Sequence, residues 1–281
     1  MVQATLHDGQ RIDVEVDGNG PVLLLAVDPA PASGDRAEEL RKWGTDPALG
    51  RSLIDGLSDR FRVVAFDYEG HVLAHPKPDT LTPDNVVADI LAVADAAGAD
   101  RFAYYGYSWL ALTGLQLAIR TERLTALAMG GYPPLDGPYP EMLAVTTATH
   151  AMATGAPSAP PSHGAPEGEF DWSSAEMTMT EPQTRQFMSL YLALRDFDDR
   201  AAQSRVTCPR LCFAGSKDVI GYDERWGGVT VDIARPFTDN RDELTAAGWA
   251  VHVLDGLDHT TAMQPSAVLP ILRPWLLSAT G

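Results

Sequence analysis

Apolar positions along the chain fall into short runs rich in Val, Leu, Ile and Phe, separated by stretches with helical spacing. Arg11-Ile12-Asp13-Val14-Glu15-Val16 alternates polar and apolar residues, turns at Asp17-Gly18-Asn19-Gly20 and continues as Pro21 to Val27. Period-two alternation before an Asn-Gly turn predicts a hairpin whose second strand is buried on both faces. After a long polar segment, Phe61 to Phe66 predicts another strand. Leu81 to Ala97 repeats apolar residues (Val86, Val87, Ile90, Leu91, Val93, Ala94) at helical spacing, with Thr82 or Asp84 to cap its start. Phe102 to Tyr105 predicts a strand, Trp109 to Arg120 a helix and Leu124 to Met129 a strand. Alternating short strands and helices imply an α/β fold, with a mostly parallel central sheet covered by helices on both faces.

The alternation stops between residues 132 and 200. Pro140 to Ala153 and Glu181 to Leu194 read as helices, the latter with Phe187, Leu190, Tyr191 and Leu194 at helical spacing. Between them, residues 154–168 (TGAPSAPPSHGAPEG) are too rich in Pro, Gly, Ala and Ser to pack, which predicts a flexible loop. The expected organisation is therefore a core of residues 1–131 and 201–281, with a helical cap or lid inserted at 132–200. The sheet pattern resumes at Arg210 to Ala214, followed by a helical stretch from about Val231 to Ala247, a strand at Ala250 to Leu254 and a closing helix over Val268 to Leu277.

The 281 residues suffice for one large domain with an insertion. A formal charge of -17 disfavours nucleic acid, anionic membrane surfaces and polyanionic substrates. The N-terminus has no basic segment followed by an apolar one, and runs such as Val22 to Val27 are too short to span a bilayer. A soluble, cytoplasmic protein acting on a small molecule is expected, either monomer or homodimer. Cys208 and Cys212 share one predicted strand, roughly 13 Å apart if extended, beyond disulfide reach; they read as buried thiols.

Chemistry concentrates at Gly106-Tyr107-Ser108-Trp109-Leu110, between a predicted strand and a predicted helix. Glycine two places before a serine at such a junction puts the hydroxyl on a sharp turn, as a nucleophile requires. Glycine is also expected two places after it, where this chain has Leu110. Serine needs a histidine base, and the histidine an orienting carboxylate. Of seven histidines, His259 follows the strand ending at Leu254 and the turn Asp255-Gly256-Leu257-Asp258, which places it on the same sheet edge as Ser108. Asp218 follows the strand Leu211 to Ala214 and completes the order Ser, Asp, His; Asp223 and Asp136 are competing carboxylates. His252 reads as a strand residue, and His71 and His75 as structural.

Together these segments resemble the α/β-hydrolase fold superfamily over nearly the whole chain. Phe61 to His71, with its Asp67-Tyr68-Glu69-Gly70-His71 turn, is similar to the strand and turn before that family's first long helix. Cys208 to Asp218 is similar to its acid strand, and Leu254 to His259 to its histidine loop. The resemblance implies a hydrolase of esters, lactones, amides or thioesters needing no metal or cofactor. Ser108 would attack a carbonyl, His259 would take its proton, and Asp218 would hold the imidazole. The Trp109 backbone N–H would be one oxyanion donor. Relatives often place His-Gly at the site of the second; here Ala26-Val27-Asp28-Pro29-Ala30-Pro31 leaves Val27 or Asp28, since proline has no N–H. The long segment up to Gly50 is expected at the pocket, and Trp109, Phe187 and Tyr191 at the substrate. The leading expectation is a hydrolase of a small to medium, largely apolar carboxylic ester or lactone. Carbon-carbon bond hydrolysis by the same triad, and ligand binding without catalysis, are the alternatives.

Overall fold

The computed structural model describes residues 2–42, 44–155 and 178–280. In chain order it contains β1 (Val2–Thr5), β2 (Arg11–Asp17), β3 (Val22–Leu25), α1 (Gly34–Lys42), α2 (Leu49–Leu57), β4 (Arg62–Ala65), α3 (Tyr68–Ala74), α4 (Pro83–Ala96), β5 (Phe102–Tyr107), α5 (Trp109–Ala118) and β6 (Leu124–Gly130). It continues with α6 (Tyr139–Ala153), α7 (Glu181–Ala193), α8 (Asp199–Ala202), β7 (Arg210–Gly215), β8 (Val219–Gly221), β9 (Thr230–Asp232), α9 (Ala234–Asp239), α10 (Arg241–Ala246), β10 (Trp249–Leu254), α11 (His259–Ala262) and α12 (Pro265–Ala279). Eight strands form one sheet in the order β1-β2-β4-β3-β5-β6-β7-β10. β1, β2 and β4 pair antiparallel, and every pair from β4 through β3 to β10 is parallel.

Both faces of the parallel strands are buried. On one face Leu24, Val64, Phe102 and Tyr104 pack with residues of α4 and α5. On the other, Leu23, Leu25, Val63 and Tyr105 pack with Leu53 and Ile54 of α2 and Leu272 of α12. Each central strand therefore reads as a continuous apolar run. α4 begins where its sequence signals place it: the Thr82 side chain accepts from the Asn85 N–H, and Pro83 takes the first turn, where no N–H is needed. Among the described residues no helix is long and apolar enough to cross a membrane.

Two local expectations are corrected. β2 and β3 do not form a hairpin, because β4 lies between them and pairs with both. The intervening turn docks on the end of α2 instead: a Cβ at Gly18 would lie 2.1 Å from the Ser58 carbonyl oxygen. The helix expected from Val231 starts only at Ala234 and is divided at Asn240. Val231 pairs with Ile220 in a two-stranded ribbon of β8 and β9, where a β-branched residue packs well. Most of the loop expected at 154–168 lies outside the described residues.

After β3 the chain moves outward to β4, then returns across β3 to β5. Such a reversal opens a crevice beyond the carboxyl ends of the strands. The loops after β3, β5 and β10 meet there.

Candidate active site

Ser108 is the single residue between β5 and α5, with φ 56° and ψ -131°. Residues other than glycine rarely adopt positive φ, and such strain persists only where the surroundings impose it. Here the Ser108 N–H donates to the Gly130 carbonyl at 2.8 Å, and its own carbonyl accepts from the N–H groups of Ala111 and Leu112. A Cβ at Gly106 would lie 2.3 Å from the Leu110 carbonyl oxygen, so the first glycine of the pentapeptide is a steric requirement. Leu110 replaces a glycine without undoing the turn: its side chain is buried, and its carbonyl accepts from the Tyr104 hydroxyl at 2.9 Å.

His259 opens α11, whose start is fixed by Asp258 and Thr261 in a reciprocal cap. Its Nδ1 lies 2.9 and 3.1 Å from the two carboxylate oxygens of Asp218. Asp218 is fully buried just after β7, and burial pushes its carboxyl pKa up while the histidine partly offsets the rise. The loops carrying the pair are tied together. The Ser216 N–H donates to Leu254 O and the Lys217 N–H to Leu257 O, and a Cβ at Gly215 would lie 2.0 Å from that same Leu257 oxygen. The Tyr107 hydroxyl donates to the His259 carbonyl at 2.8 Å, linking the histidine loop to the residue before Ser108. No hydrogen bond joins Ser108 to His259 among the described residues. Such bonds are often long before substrate binds.

Ser108 and His259 both line a cleft of about 750 Å³, a volume typical of small-molecule sites. The opposite wall is built by the 26–50 segment: Val27, Asp28, Arg36, Leu40, Asp46 and Leu49 face the cleft. The Val27 N–H already donates to Leu25 O at 3.0 Å, whereas the Asp28 N–H has no hydrogen-bond acceptor among the described residues. At the start of α5 the Trp109 N–H has no intrahelical acceptor. Among the described residues no three His, Cys, Asp or Glu side chains are grouped to hold a metal ion.

No family model matches the chain, nor does any curated protein. Solved structures do. An esterase from Thermogutta terrifontis, with malate bound, matches at a TM-score of 0.60 over 100% of this chain and 99% of its own, at 15% identity. An enol-lactonase from Burkholderia xenovorans LB400 matches at 0.57 over 98% of each chain, at 18% identity. An epoxide hydrolase from metagenomes of hot environments, assigned to the α/β hydrolases superfamily, matches at 0.56 over 98% of each chain, also at 18% identity. The chain has the α/β-hydrolase fold.

Within this α/β-hydrolase fold the remaining sequence candidates lie as follows. Asp136 accepts from Arg200 and Asn240 at the surface. Asp223 caps a short 3-10 turn through the Arg225 N–H. The carboxylate at His259 Nδ1 is that of Asp218. Phe187 meets the Trp109 ring edge-on at 5.5 Å, and Tyr191 is buried in the core. Neither lines the cleft, nor does any other described residue of 132–200. The His71 and His75 rings lie 5.1 Å apart, tilted by 47°, away from the cleft lining. Two cleft residues carried no role in the sequence reading. Tyr107 supports His259, and Glu69 projects into the cleft from the first turn of α3. Glu69 sits inside the Asp-x-x-Gly-His turn, which was the only signal available for it.

Proposed function

We propose that the protein is a cofactor-independent serine hydrolase of small to medium carboxylic esters or lactones. One observation carries the reading: Ser108, on a positive-φ turn, opens into the same cleft as His259, whose Nδ1 is held by the buried Asp218. In this reading His259 Nε2 takes the Ser108 proton as Oγ adds to the substrate carbonyl, and the Asp218 carboxylate stabilises the resulting imidazolium. The tetrahedral oxyanion is received by the N–H groups of Trp109 and Asp28. Collapse expels the alcohol, which takes its proton from His259. Water activated by the same histidine then releases the acid from the acyl-enzyme.

The proposal is tested with an activated ester and a fluorophosphonate probe. Wild-type protein is expected to give a burst of product and to be labelled at Ser108, and Ser108→Ala to lose both. Unchanged turnover in Ser108→Ala would sink the reading.

A further inference from the structure

β5 carries three tyrosines ahead of the elbow, and two of them have committed hydroxyls. Tyr104 donates to the Leu110 carbonyl and Tyr107 to the His259 carbonyl. The Tyr105 hydroxyl makes no hydrogen bond among the described residues, although the residue is only 2% exposed and lines the cleft. Its oxygen is not among the unpartnered polar atoms sealed from solvent. It therefore keeps solvent contact, and the surface Tyr105 retains is the surface it lends to the cleft. The ring stacks on Phe213, with centroids 6.3 Å apart and planes 15° from parallel. Its backbone is paired on both sides, opposite Leu25 and Ala128. Packing thus fixes the ring and leaves a free hydroxyl at its end. Burial pushes the phenol pKa up, which keeps that hydroxyl protonated and able to donate.

A nearly buried hydroxyl without a partner is costly, and the cost is relieved when a ligand supplies the missing atom. Few, well-placed polar groups in an otherwise apolar pocket are what orient a small molecule. Ala26, Val27, Leu49, Leu53 and Met263 give this cleft its apolar lining, which makes a charged partner expensive to bring to the phenol. An anion would also meet the carboxylates of Asp28, Asp46, Asp67 and Glu69, against the single guanidinium of Arg36. An ammonium has no lone pair to offer a phenolic donor. A neutral oxygen satisfies all three conditions. We propose that Tyr105 is a specificity-determining residue of the cleft and selects esters whose chain carries a neutral oxygen acceptor (ether, ketone or hydroxyl) within otherwise apolar carbon. This rests on the serine hydrolase reading and adds one oxygen to its largely apolar substrate. Three residues at about 3.3 Å each put the Tyr105 and Ser108 backbones at most about 10 Å apart. The acceptor accordingly belongs several bonds from the scissile carbonyl.

The test moves one oxygen along chains of fixed length. In the acyl series, p-nitrophenyl octanoate is compared with the p-nitrophenyl esters of 3-butoxypropanoic, 4-propoxybutanoic and 5-ethoxypentanoic acids. In the alcohol series, heptyl butyrate is compared with 2-butoxyethyl, 3-propoxypropyl and 4-ethoxybutyl butyrates. Each ether is scored by its kcat/KM relative to the hydrocarbon parent in the same protein, which cancels the intrinsic reactivity of the ester. For at least one ether that ratio should be about tenfold higher in wild type than in Tyr105→Phe. Tyr105→Phe should melt no lower than wild type, because its lost hydroxyl has no partner in the protein. Ratios equal in the two proteins at every position, with Ser108 still labelled by fluorophosphonate, overturn the selectivity and leave the hydrolase reading standing. If Ser108 is not acylated at all, calorimetry decides, with the methyl esters of the four acids and the four butyrates as ligands. At least one ether should gain about tenfold in affinity over its hydrocarbon parent in Ser108→Ala protein relative to Ser108→Ala/Tyr105→Phe. Equal gains overturn the role of Tyr105.

Discussion

Asp218 is under two opposed demands. Orienting His259 requires it ionised, yet it is fully buried and its carboxyl pKa is raised, chiefly by desolvation. A carboxyl whose folded pKa lies above its unfolded value of 3.8 contributes stability below that value and loses it as pH rises through the folded pKa. Asn does not titrate, so Asp218→Asn should gain in relative stability across that interval and hold the gain at neutral pH. Its kcat should fall on the order of 10³- to 10⁴-fold, because the amide cannot stabilise an imidazolium. Melting temperatures of both proteins from pH 3 to pH 8 check the sign; a wild type that gains on the variant as pH rises would be the wrong one. Leu110 behaves differently, as a core residue inside a catalytic-looking turn. Leu110→Ala should lower stability by roughly 2–4 kcal/mol through the cavity it leaves, measured by urea unfolding. The turn itself, set by the Gly106 contact, should survive, and fluorophosphonate labelling of Ser108 reports whether it does.

At the scale of elements, the cleft depends on how the 26–50 segment is held against the sheet. Gly50 lies in α2 and is buried; a Cβ there would fall 1.9 Å from the Asp28 carbonyl oxygen. Gly50→Ala should therefore push the Asp28 peptide away from Ser108 while leaving Asp218 and His259 alone. If Asp28 supplies the second oxyanion donor, the loss should fall on kcat more than KM, by roughly tenfold to a hundredfold. A folded Gly50→Ala protein with unchanged kcat would assign that role elsewhere. This wall was also the least legible part of the sequence. Leu49, Leu53, Ile54 and Leu57 carry helical spacing, but they sit within residues that read as one long polar segment, and both α1 and α2 went unrecognised. β1 was missed as well, and the expected β2–β3 hairpin failed because strand insertion by β4 is a long-range choice that a local Asn-Gly signal does not encode. By contrast the elbow, the Asp218 loop and the His259 loop were legible because each follows directly from a buried strand. Residues after parallel strands converge at one sheet edge whatever the loops between them do.

At the scale of the whole molecule, the charge of -17 and the acidic cleft act in the same direction. Low-dielectric walls focus a field of one sign, so a cation should be drawn to the cleft over distances that no single carboxylate controls. Salt screens such long-range attraction, with a Debye length of about 30 Å at 0.01 M and about 10 Å at 0.1 M. For a cationic ester kcat/KM should therefore fall as NaCl is raised from low millimolar to molar levels, while the neutral isostere stays nearly flat. A wild-type slope equal for cationic and neutral esters would show that the molecule's charge serves solubility alone and does not steer substrate.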